Sequence, residues 1–112
     1  MTATTMKALA KSKPREGLWM VNTPVPEIEP DEVLILINKT GICGTDIHIW
    51  NWNEWAATNV PVPMIIGHEF AGKIVELGRN VTGRTLGQRC SGEGHLINND
   101  SRQSRAGNFH LD

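Results

Sequence analysis

Short apolar runs separated by polar and proline-containing segments dominate the first half of the chain. The runs "MKALA" (6–10), "GLWMV" (17–21) and "EVLILIN" (32–38) each have the length of a β-strand. The segments between them are too short for the helical crossovers that parallel strands require. We therefore predict antiparallel strands folded into a barrel or a sandwich. The nearly continuous apolar run at 33–38 further predicts a strand that is covered on both faces or that faces a tight core.

The pattern changes after Gly44. The stretch "TDIHIWNWNEW" (45–55) predicts one short helix capped by Thr45 or Asp46, and the prolines that follow end it. The stretch "HEFAGKIVEL" (68–77) predicts another strand. Gly72 lies in its interior, which indicates a bulge or a close approach of neighbouring backbone.

Composition and charge limit the classes of function. The 112 residues suffice for one domain with a modest core, and a net charge of -1 gives no reason to expect nucleic acid or a membrane as a partner. No apolar run approaches the roughly 18 residues that span a bilayer, and the N-terminus lacks the apolar region of a signal peptide. The expected location is the cytoplasm, where Cys43 and Cys90 would remain unpaired.

Three residues in two segments have the chemistry of metal ligands. Cys43, as a thiolate, and His68, as a neutral imidazole, are good ligands for zinc, and Glu69 offers a carboxylate oxygen. A catalytic zinc needs only three protein ligands, so the set is large enough. Spacing alone also allows these residues to be unrelated.

Other polar and aromatic residues near Cys43 have two interpretations each. Thr45 and His48, three residues apart, share a helix face and can pass a proton, or they can be a helix cap and a surface residue. Asp46 can cap the helix or orient a ligand imidazole. Three tryptophans could line a substrate pocket, form an apolar surface for another domain, or pack in the core: Trp50, Trp52 and Trp55. His95 is either a ligand or a loop histidine, and His110 is incidental.

Two motifs resemble those of the zinc-containing medium-chain alcohol dehydrogenases. The stretch "GHEFAGKIVELGRNV" (67–81) is similar to the zinc signature of that family, and "CGTDIH" (43–48) resembles its catalytic cysteine motif at the usual distance upstream. The likeness covers most of residues 6–95. Through "HIWNWNEW" (48–55) it is greatest to the branch of the family that oxidises L-threonine. The fold implied is a GroES-like β-barrel domain, mainly β with short helices.

The resemblance also implies roles for particular residues. Cys43, His68 and Glu69 match the catalytic-zinc positions, with Glu69 bound to the ion or just behind it. Thr45 and His48 match the positions given a proton-relay role. The substrate implied is L-threonine or a similar small hydroxy compound, the cofactors are zinc and NAD, and the full-length enzyme is expected to be a homotetramer.

Two departures from the family pattern lead to further expectations. The family commonly binds a second, structural zinc through four cysteines, and here Asn98, Ser101, Ser104 and Asp112 stand at those positions. Hydroxyl and amide groups are poor zinc ligands, so we predict that this segment binds no structural zinc and is held by hydrogen bonds.

The second departure concerns the nucleotide-binding domain. No Gly-rich strand-to-helix turn for a nucleotide phosphate occurs in residues 1–112, so we expect a catalytic-domain fragment without its Rossmann domain, inactive alone. A dehydrogenase for another polyol or alcohol, and a non-catalytic GroES-like binding module, are the alternatives.

Overall fold

This computed structural model describes residues 4–94 and 98–108, and within them the chain forms six strands and three short helices. Along the chain they are β1 (Thr5–Lys11), β2 (Trp19–Pro24), β3 (Val33–Thr40), α1 (Gly44–Asn51), α2 (Glu54–Asn59), β4 (Met64–Ile65), β5 (Phe70–Leu77), β6 (Arg89–Cys90) and α3 (Arg102–Arg105). The prediction of a mainly β domain with short helices is confirmed. In the described part of the chain, no helix has the length and apolar content needed to cross a membrane.

The strands form two three-stranded sheets, one in the order β2-β1-β4 and the other in the order β3-β5-β6. Every described strand pair is antiparallel, as the short connections predicted. The largest pairing joins β3 to β5, and it brings the segment after β3 next to the segment before β5. These two segments carry the candidate metal ligands.

Gly72 lies where β3 and β5 approach each other most closely. It pairs with Ile37, and the next pair joins Lys39 to Ala71, so the register shifts at Asn38. A Cβ atom built on Gly72 would lie 2.3 Å from the Leu36 carbonyl oxygen. Both predictions for this glycine, an irregular register and a close backbone approach, are therefore confirmed.

The prediction that residues 33–38 are covered on both faces or face a tight core is wrong for Leu36 and Ile37. The side chains of Leu36 and Ile37 are 59% and 46% exposed. β3 is an edge strand of its sheet, and no helix in residues 4–94 and 98–108 packs extensively against it. The apolar run reflects an apolar surface of the domain rather than a strand buried on both sides.

The predicted single helix at 45–55 is two helices, because Trp52 interrupts it. Trp52 has φ 54° and ψ 47°, the left-handed conformation in which a helix commonly ends, and its N–H donates to the Ile49 carbonyl at 3.2 Å. Asn53 then caps α2 by accepting a hydrogen bond from the Ala56 N–H at 3.0 Å. The Ile49 and Ala56 side chains are buried, so each short helix is attached to the domain by its own apolar residue.

Lys11, at the end of β1, is a buried residue, although the sequence pattern placed it in the polar segment between the first two apolar runs. Its side chain has no exposed surface, and its Nζ donates to the carbonyls of Arg15 and Gly17 at 2.5 and 2.6 Å. The ammonium lies 5.4 Å from the ring centroid of Trp19 and 5.1 Å from that of Trp52. Burial lowers the pKa of Lys11 from its ordinary value, partly offset by Glu16.

This lysine cluster (Lys11, Trp19, Trp52 and the 13–17 loop) fastens the β1–β2 connection to the end of α1. A backbone hydrogen bond from the Gly17 N–H to the Trp50 carbonyl, 2.9 Å long, joins the same two segments. Carbonyls and indole faces both stabilise a cation, so these contacts compensate for the hydration that the Lys11 ammonium loses on burial. The position of α1 therefore depends on a residue 33 positions before the helix begins (Lys11 to Gly44).

We expect Lys11→Ala to lower the free energy of unfolding by about 3 kcal/mol. The substitution leaves the Arg15 and Gly17 carbonyls without their donor and removes a buried aliphatic stem. Lys13→Ala is the matched control, because the Lys13 Nζ also lies over Trp19, at 5.6 Å, but belongs to an exposed side chain. The control should cost less than about 1 kcal/mol in urea unfolding. Equal losses in the two variants would contradict the role assigned to Lys11.

Candidate functional site

The antiparallel pairing of β3 and β5 brings the two candidate ligand segments side by side. The last pair of the ladder joins Thr40 to Phe70, and the Gly41 N–H then donates to the Glu69 carbonyl at 2.9 Å. Cys43 follows Gly41 by two residues, and His68 directly precedes Glu69. The ladder therefore ends with both segments at one edge of the sheet.

An open groove of about 420 Å³ lies at this edge, lined by residues 39–41, 68–71 and 91–92. His68 and Glu69 are exposed along it. The Ser91 hydroxyl donates to the Phe70 carbonyl at 2.6 Å and holds the segment after β6 against β5. A Cβ atom on Gly41 would lie 2.8 Å from Glu69 Oε2, so the absence of a side chain at 41 makes room for this carboxylate.

Cys43, rather than Thr45 or Asp46, is the N-cap residue that precedes α1, and Asp46 completes the cap from the third helical position. The Cys43 Sγ accepts a hydrogen bond from the Thr45 N–H at 3.2 Å, and Asp46 Oδ2 accepts one from the Cys43 N–H at 3.0 Å. The two bonds form a capping box with a thiol in the place of the usual hydroxyl. This local structure fixes the backbone of Cys43 and leaves its side chain half-buried, two residues after the groove residue Gly41.

The second oxygen of Asp46 is buried and has no hydrogen-bond partner within the described residues. A buried carboxylate oxygen without a donor is unfavourable, so this atom is an acceptor that a further N–H group can satisfy. The predicted alternatives for Asp46 were a helix cap and an acceptor for a ligand imidazole. One oxygen serves the first role, and the other is free for the second.

Chemically, Cys43, His68 and Glu69 fit zinc, because thiolate, imidazole and carboxylate are the ligand types that zinc prefers. Geometrically, the structure brings their segments together but does not gather the three side chains. Among residues 4–94 and 98–108, no three His, Cys, Asp or Glu side chains are grouped closely enough to hold a metal ion. The Cys43 thiol faces its own helix, and the Glu69 carboxylate lies against Gly41.

Thr45 and His48 lie three residues apart on α1, as predicted for a pair that shares a helix face. Thr45 is half-buried in the first turn, and His48 is exposed in the last turn. Asn53 Nδ2 lies 2.7 Å from His48 Nδ1, and the ring centroids of His48 and Trp55 are 6.1 Å apart at an angle of 55°. The imidazole therefore has a fixed environment on one side and solvent on the other.

Asn53 is a residue that sequence analysis did not single out, although an asparagine before an apolar helical segment is a recognisable cap signal. Of the other candidates, Trp50 and Trp55 are each 47% exposed, and Trp52 is half-buried in the lysine cluster. His95 and His110 lie outside the described residues.

The segment with the four non-cysteine residues is held by local hydrogen bonds. The Asn98 side chain accepts from the Asp100 N–H at 3.0 Å, and Ser101 caps α3 by accepting from the Ser104 N–H at 3.1 Å. Ser104 is buried, and Asp112 lies outside the described residues. The hydrogen-bonded character predicted for this segment is confirmed for residues 98–108. The expectation that it binds no structural zinc stays a prediction.

Cys90 and Cys43 are both free thiols. Cys90 lies on β6, where it pairs with Gly72 of β5, and its side chain is half-buried. Its placement in a sheet is typical of a cysteine that packs as a small apolar residue.

The chain matches the family described as "Alcohol dehydrogenase GroES-like domain" over residues 29–112. It is 79% identical over 107 residues to an L-threonine 3-dehydrogenase of Ruegeria pomeroyi and 58% identical over 106 residues to one of Rhizobium etli. These matches cover 96% and 95% of this chain but only 31% of each relative. The chain thus spans about a third of the length of the curated relatives that it matches.

Solved structures of full-size dehydrogenases contain a similar domain. A protein from Sinorhizobium meliloti described as a zinc-binding dehydrogenase and bound to NADP superposes with a TM-score of 0.82 at 31% identity, over 97% of this chain and 30% of that one. A thermostable alcohol dehydrogenase from Pyrobaculum aerophilum with bound cobalt and zinc superposes with a TM-score of 0.75 at 30% identity, over 96% of this chain and 32% of that one.

Proposed function

Because this chain belongs to the family of alcohol dehydrogenase GroES-like domains, we propose that residues 1–112 are the N-terminal catalytic-domain portion of a zinc- and NAD-dependent L-threonine 3-dehydrogenase. The reaction is the oxidation of L-threonine by NAD to 2-amino-3-oxobutanoate and NADH. The identity to the Ruegeria pomeroyi relative is the single observation that carries this proposal. The nucleotide-binding domain is proposed to lie in the part of the relatives that this chain does not span.

In this proposal Cys43, His68 and Glu69 hold one zinc ion at the edge where β3 and β5 end. The backbone pairing of Gly41 with Glu69 supports it, because the ligands then come from adjacent chain segments. The unpartnered oxygen of Asp46 is a suitable acceptor for the second N–H group of a ligand histidine, which would hold the ring in place. A zinc ion held by these residues would supply Lewis-acid chemistry, lowering the pKa of a bound hydroxyl.

Thr45 and His48 are proposed to carry away the proton of that hydroxyl. The Thr45 hydroxyl is both a donor and an acceptor, so it can accept the hydrogen bond of the substrate and donate another. His48 is exposed and lies three residues after Thr45 on α1, which supports a role for its imidazole in passing the proton to solvent. NAD would supply the hydride acceptor for the carbon-bound hydrogen, from a nucleotide-binding domain that we propose lies outside residues 1–112.

A chimera tests this function directly. We expect this chain, joined to the C-terminal two-thirds of the Ruegeria pomeroyi relative, to form NADH when L-threonine and NAD are supplied. The junction can be placed at the end of the aligned region, because the two proteins are 79% identical over 107 residues. NADH formation is followed by absorbance, with a panel of other small alcohols and polyols as competing substrates.

The two halves expressed separately are the controls, and each should be inactive because the zinc ligands and the NAD site lie on different domains. If the chimera prefers another polyol or alcohol to L-threonine, the alternative function, a related polyol or alcohol dehydrogenase, replaces the proposed one. If a folded chimera oxidises none of these compounds, the remaining hypothesis is that the chain is a non-catalytic binding module. NADH production by the 112-residue chain alone would contradict the proposed division of the site between domains.

A further inference from the structure

The helix α1 is attached to the domain mainly at its two ends. Among the described strands and helices it packs extensively only against α2, and within the helix only Ile49 is buried. Just before its start, the Gly41 N–H donates to the Glu69 carbonyl at 2.9 Å, two residues ahead of the Cys43 cap. The orientation of α1 therefore depends on what holds its last turn.

The last turn of α1 is held by the buried ammonium of Lys11. The Lys11 Nζ lies 5.1 Å from the ring centroid of Trp52, the residue whose left-handed conformation ends the helix. The same ammonium donates to the Gly17 carbonyl at 2.6 Å, and the Gly17 N–H donates to the Trp50 carbonyl at 2.9 Å. One cation thus holds the helix end directly through an indole face and indirectly through the loop that precedes β2.

The chain of contacts continues from Trp52 to His48. Asn53 directly follows Trp52, and its Nδ2 lies 2.7 Å from His48 Nδ1. The Asn53 Oδ1 accepts a hydrogen bond from the Ala56 N–H at 3.0 Å, so this side chain is fixed to the start of α2. A displacement of Trp52 is therefore passed to the imidazole by a residue that neighbours both.

Helix geometry makes His48 more sensitive than Thr45 to such a displacement. An α-helix rises about 1.5 Å per residue, so Thr45 and His48 lie about 3 and about 7.5 Å from the fixed end at Cys43. A tilt of about 10° about that end moves Thr45 by about 0.5 Å and His48 by about 1.3 Å. A misplacement of about 1 Å can cost about 100-fold in rate, whereas Cys43 itself stays in place.

We propose that Lys11 is a positioning residue, which through Trp52 holds α1 in the orientation in which Thr45 and His48 carry away the proton of the substrate hydroxyl. This inference rests on the proposed function for its catalytic meaning. Lys11 touches no reacting atom, since its side chain has no exposed surface. It acts on the proton path rather than on the proposed metal ligands, whose segments are held by the ladder of β3 and β5.

The anchoring is measured on the 112-residue chain by amide hydrogen exchange. Lys11→Met keeps an unbranched apolar stem and removes the charge with its donors. We expect exchange of the Gly17 and Trp52 N–H groups to accelerate at least about tenfold more than exchange of the Gly41 N–H. Lys7→Met removes an exposed lysine from the same strand and, as the matched control, should change none of these rates. Unchanged rates in Lys11→Met, or a uniform acceleration of all three groups, would overturn the proposal.

The catalytic consequence is tested in the chimera. Lys11→Met should lower kcat about 30-fold, while the zinc content and the KM for L-threonine stay within about twofold of the unmodified values. Slower proton removal should also raise the solvent deuterium isotope effect on kcat, which a smaller folded fraction would leave unchanged. Trp52→Asn is a second variant, because asparagine also adopts the left-handed conformation but offers no indole face to the cation. It should lower kcat about tenfold.

The outcomes separate a positioning role from a merely structural one. If kcat and zinc content fall in equal proportion and the isotope effect is unchanged, Lys11 only stabilises the fold and the proposal is wrong. The proposal is equally wrong if Lys11→Met keeps full kcat per bound zinc. A chimera that fails to oxidise L-threonine even without these substitutions refutes the proposed function, while hydrogen exchange still decides whether Lys11 holds α1.

Discussion

Gly72→Ala is expected to lower the free energy of unfolding by about 3 kcal/mol, and Gly72→Val by at least about 4 kcal/mol. Gly72 is buried in the central strand of its sheet, where it pairs with Ile37 on one side and Cys90 on the other. A Cβ atom there would lie 2.3 Å from the Leu36 carbonyl oxygen and 3.0 Å from its carbon. Because these atoms are backbone, relief requires that β3 and β5 move apart.

Gly44→Ala is the matched control, since a Cβ atom on Gly44 meets no atom within 4 Å. Gly44 is the first residue of α1, and alanine is the better helix former, so the control should gain between zero and about 1 kcal/mol. Urea unfolding of the 112-residue chain measures both. If Gly72→Ala is as stable as the unmodified chain, the close packing of β3 on β5 is wrong.

Cys43→Ser is expected to remove the zinc ion and to lower kcat/KM of the chimera by about 10³-fold or more, equivalent to roughly 4 kcal/mol in transition-state stabilisation. The reason is the loss of the thiolate, for which a hydroxyl is a poor substitute on zinc. The helix should survive, because serine is a strongly preferred cap and can accept the Thr45 N–H as the thiol does. Metal analysis and NADH formation are measured on the same samples.

Cys90→Ser is the matched thiol control, and it should retain both the ion and the activity because Cys90, a free thiol on β6, is not one of the proposed ligands. The same analysis counts the ions. We expect one zinc per chimera, since Asn98, Ser101 and Ser104 replace the cysteines of a second site. Retention of zinc by Cys43→Ser would remove Cys43 from the proposed ligands, and two ions in the unmodified chimera would contradict the prediction for residues 98–108.

The strands were predictable because each of β1, β3 and β5 is a short apolar run bounded by turn residues. The division of the helix was not, because a tryptophan in the left-handed conformation is rare and leaves no pattern in the sequence. Lys11 was missed for a similar reason. A lysine after an apolar run ordinarily marks the exposed end of a strand, and only the tertiary structure brings two carbonyls and two indoles around it.

For the candidate site, the motifs identified the residues, and the structure adds their arrangement. The pairing of Gly41 with Glu69 follows from the register of two strands that are distant in sequence, which periodicity cannot give. The use of the Cys43 thiol as a helix cap was also hidden, because cysteine is not a usual cap residue. Asn53 was overlooked because its role depends on two neighbours at once, Ala56 and His48.

The exposed edge of β3 bears on how this domain avoids unwanted self-association. An apolar edge strand offers unpaired N–H and C=O groups to any other strand, which is a common route to aggregation. The pairing of β3 with β5 has two register shifts; the one between Ile37 and Lys39 leaves an extra residue, Asn38, on β3, whereas the other skips Val75 of β5. The bulge at Asn38 interrupts the even spacing that a foreign strand would need, and the charge of Lys39 adds to the effect. The bulge that accommodates Gly72 thus also makes β3 a poor template for another chain.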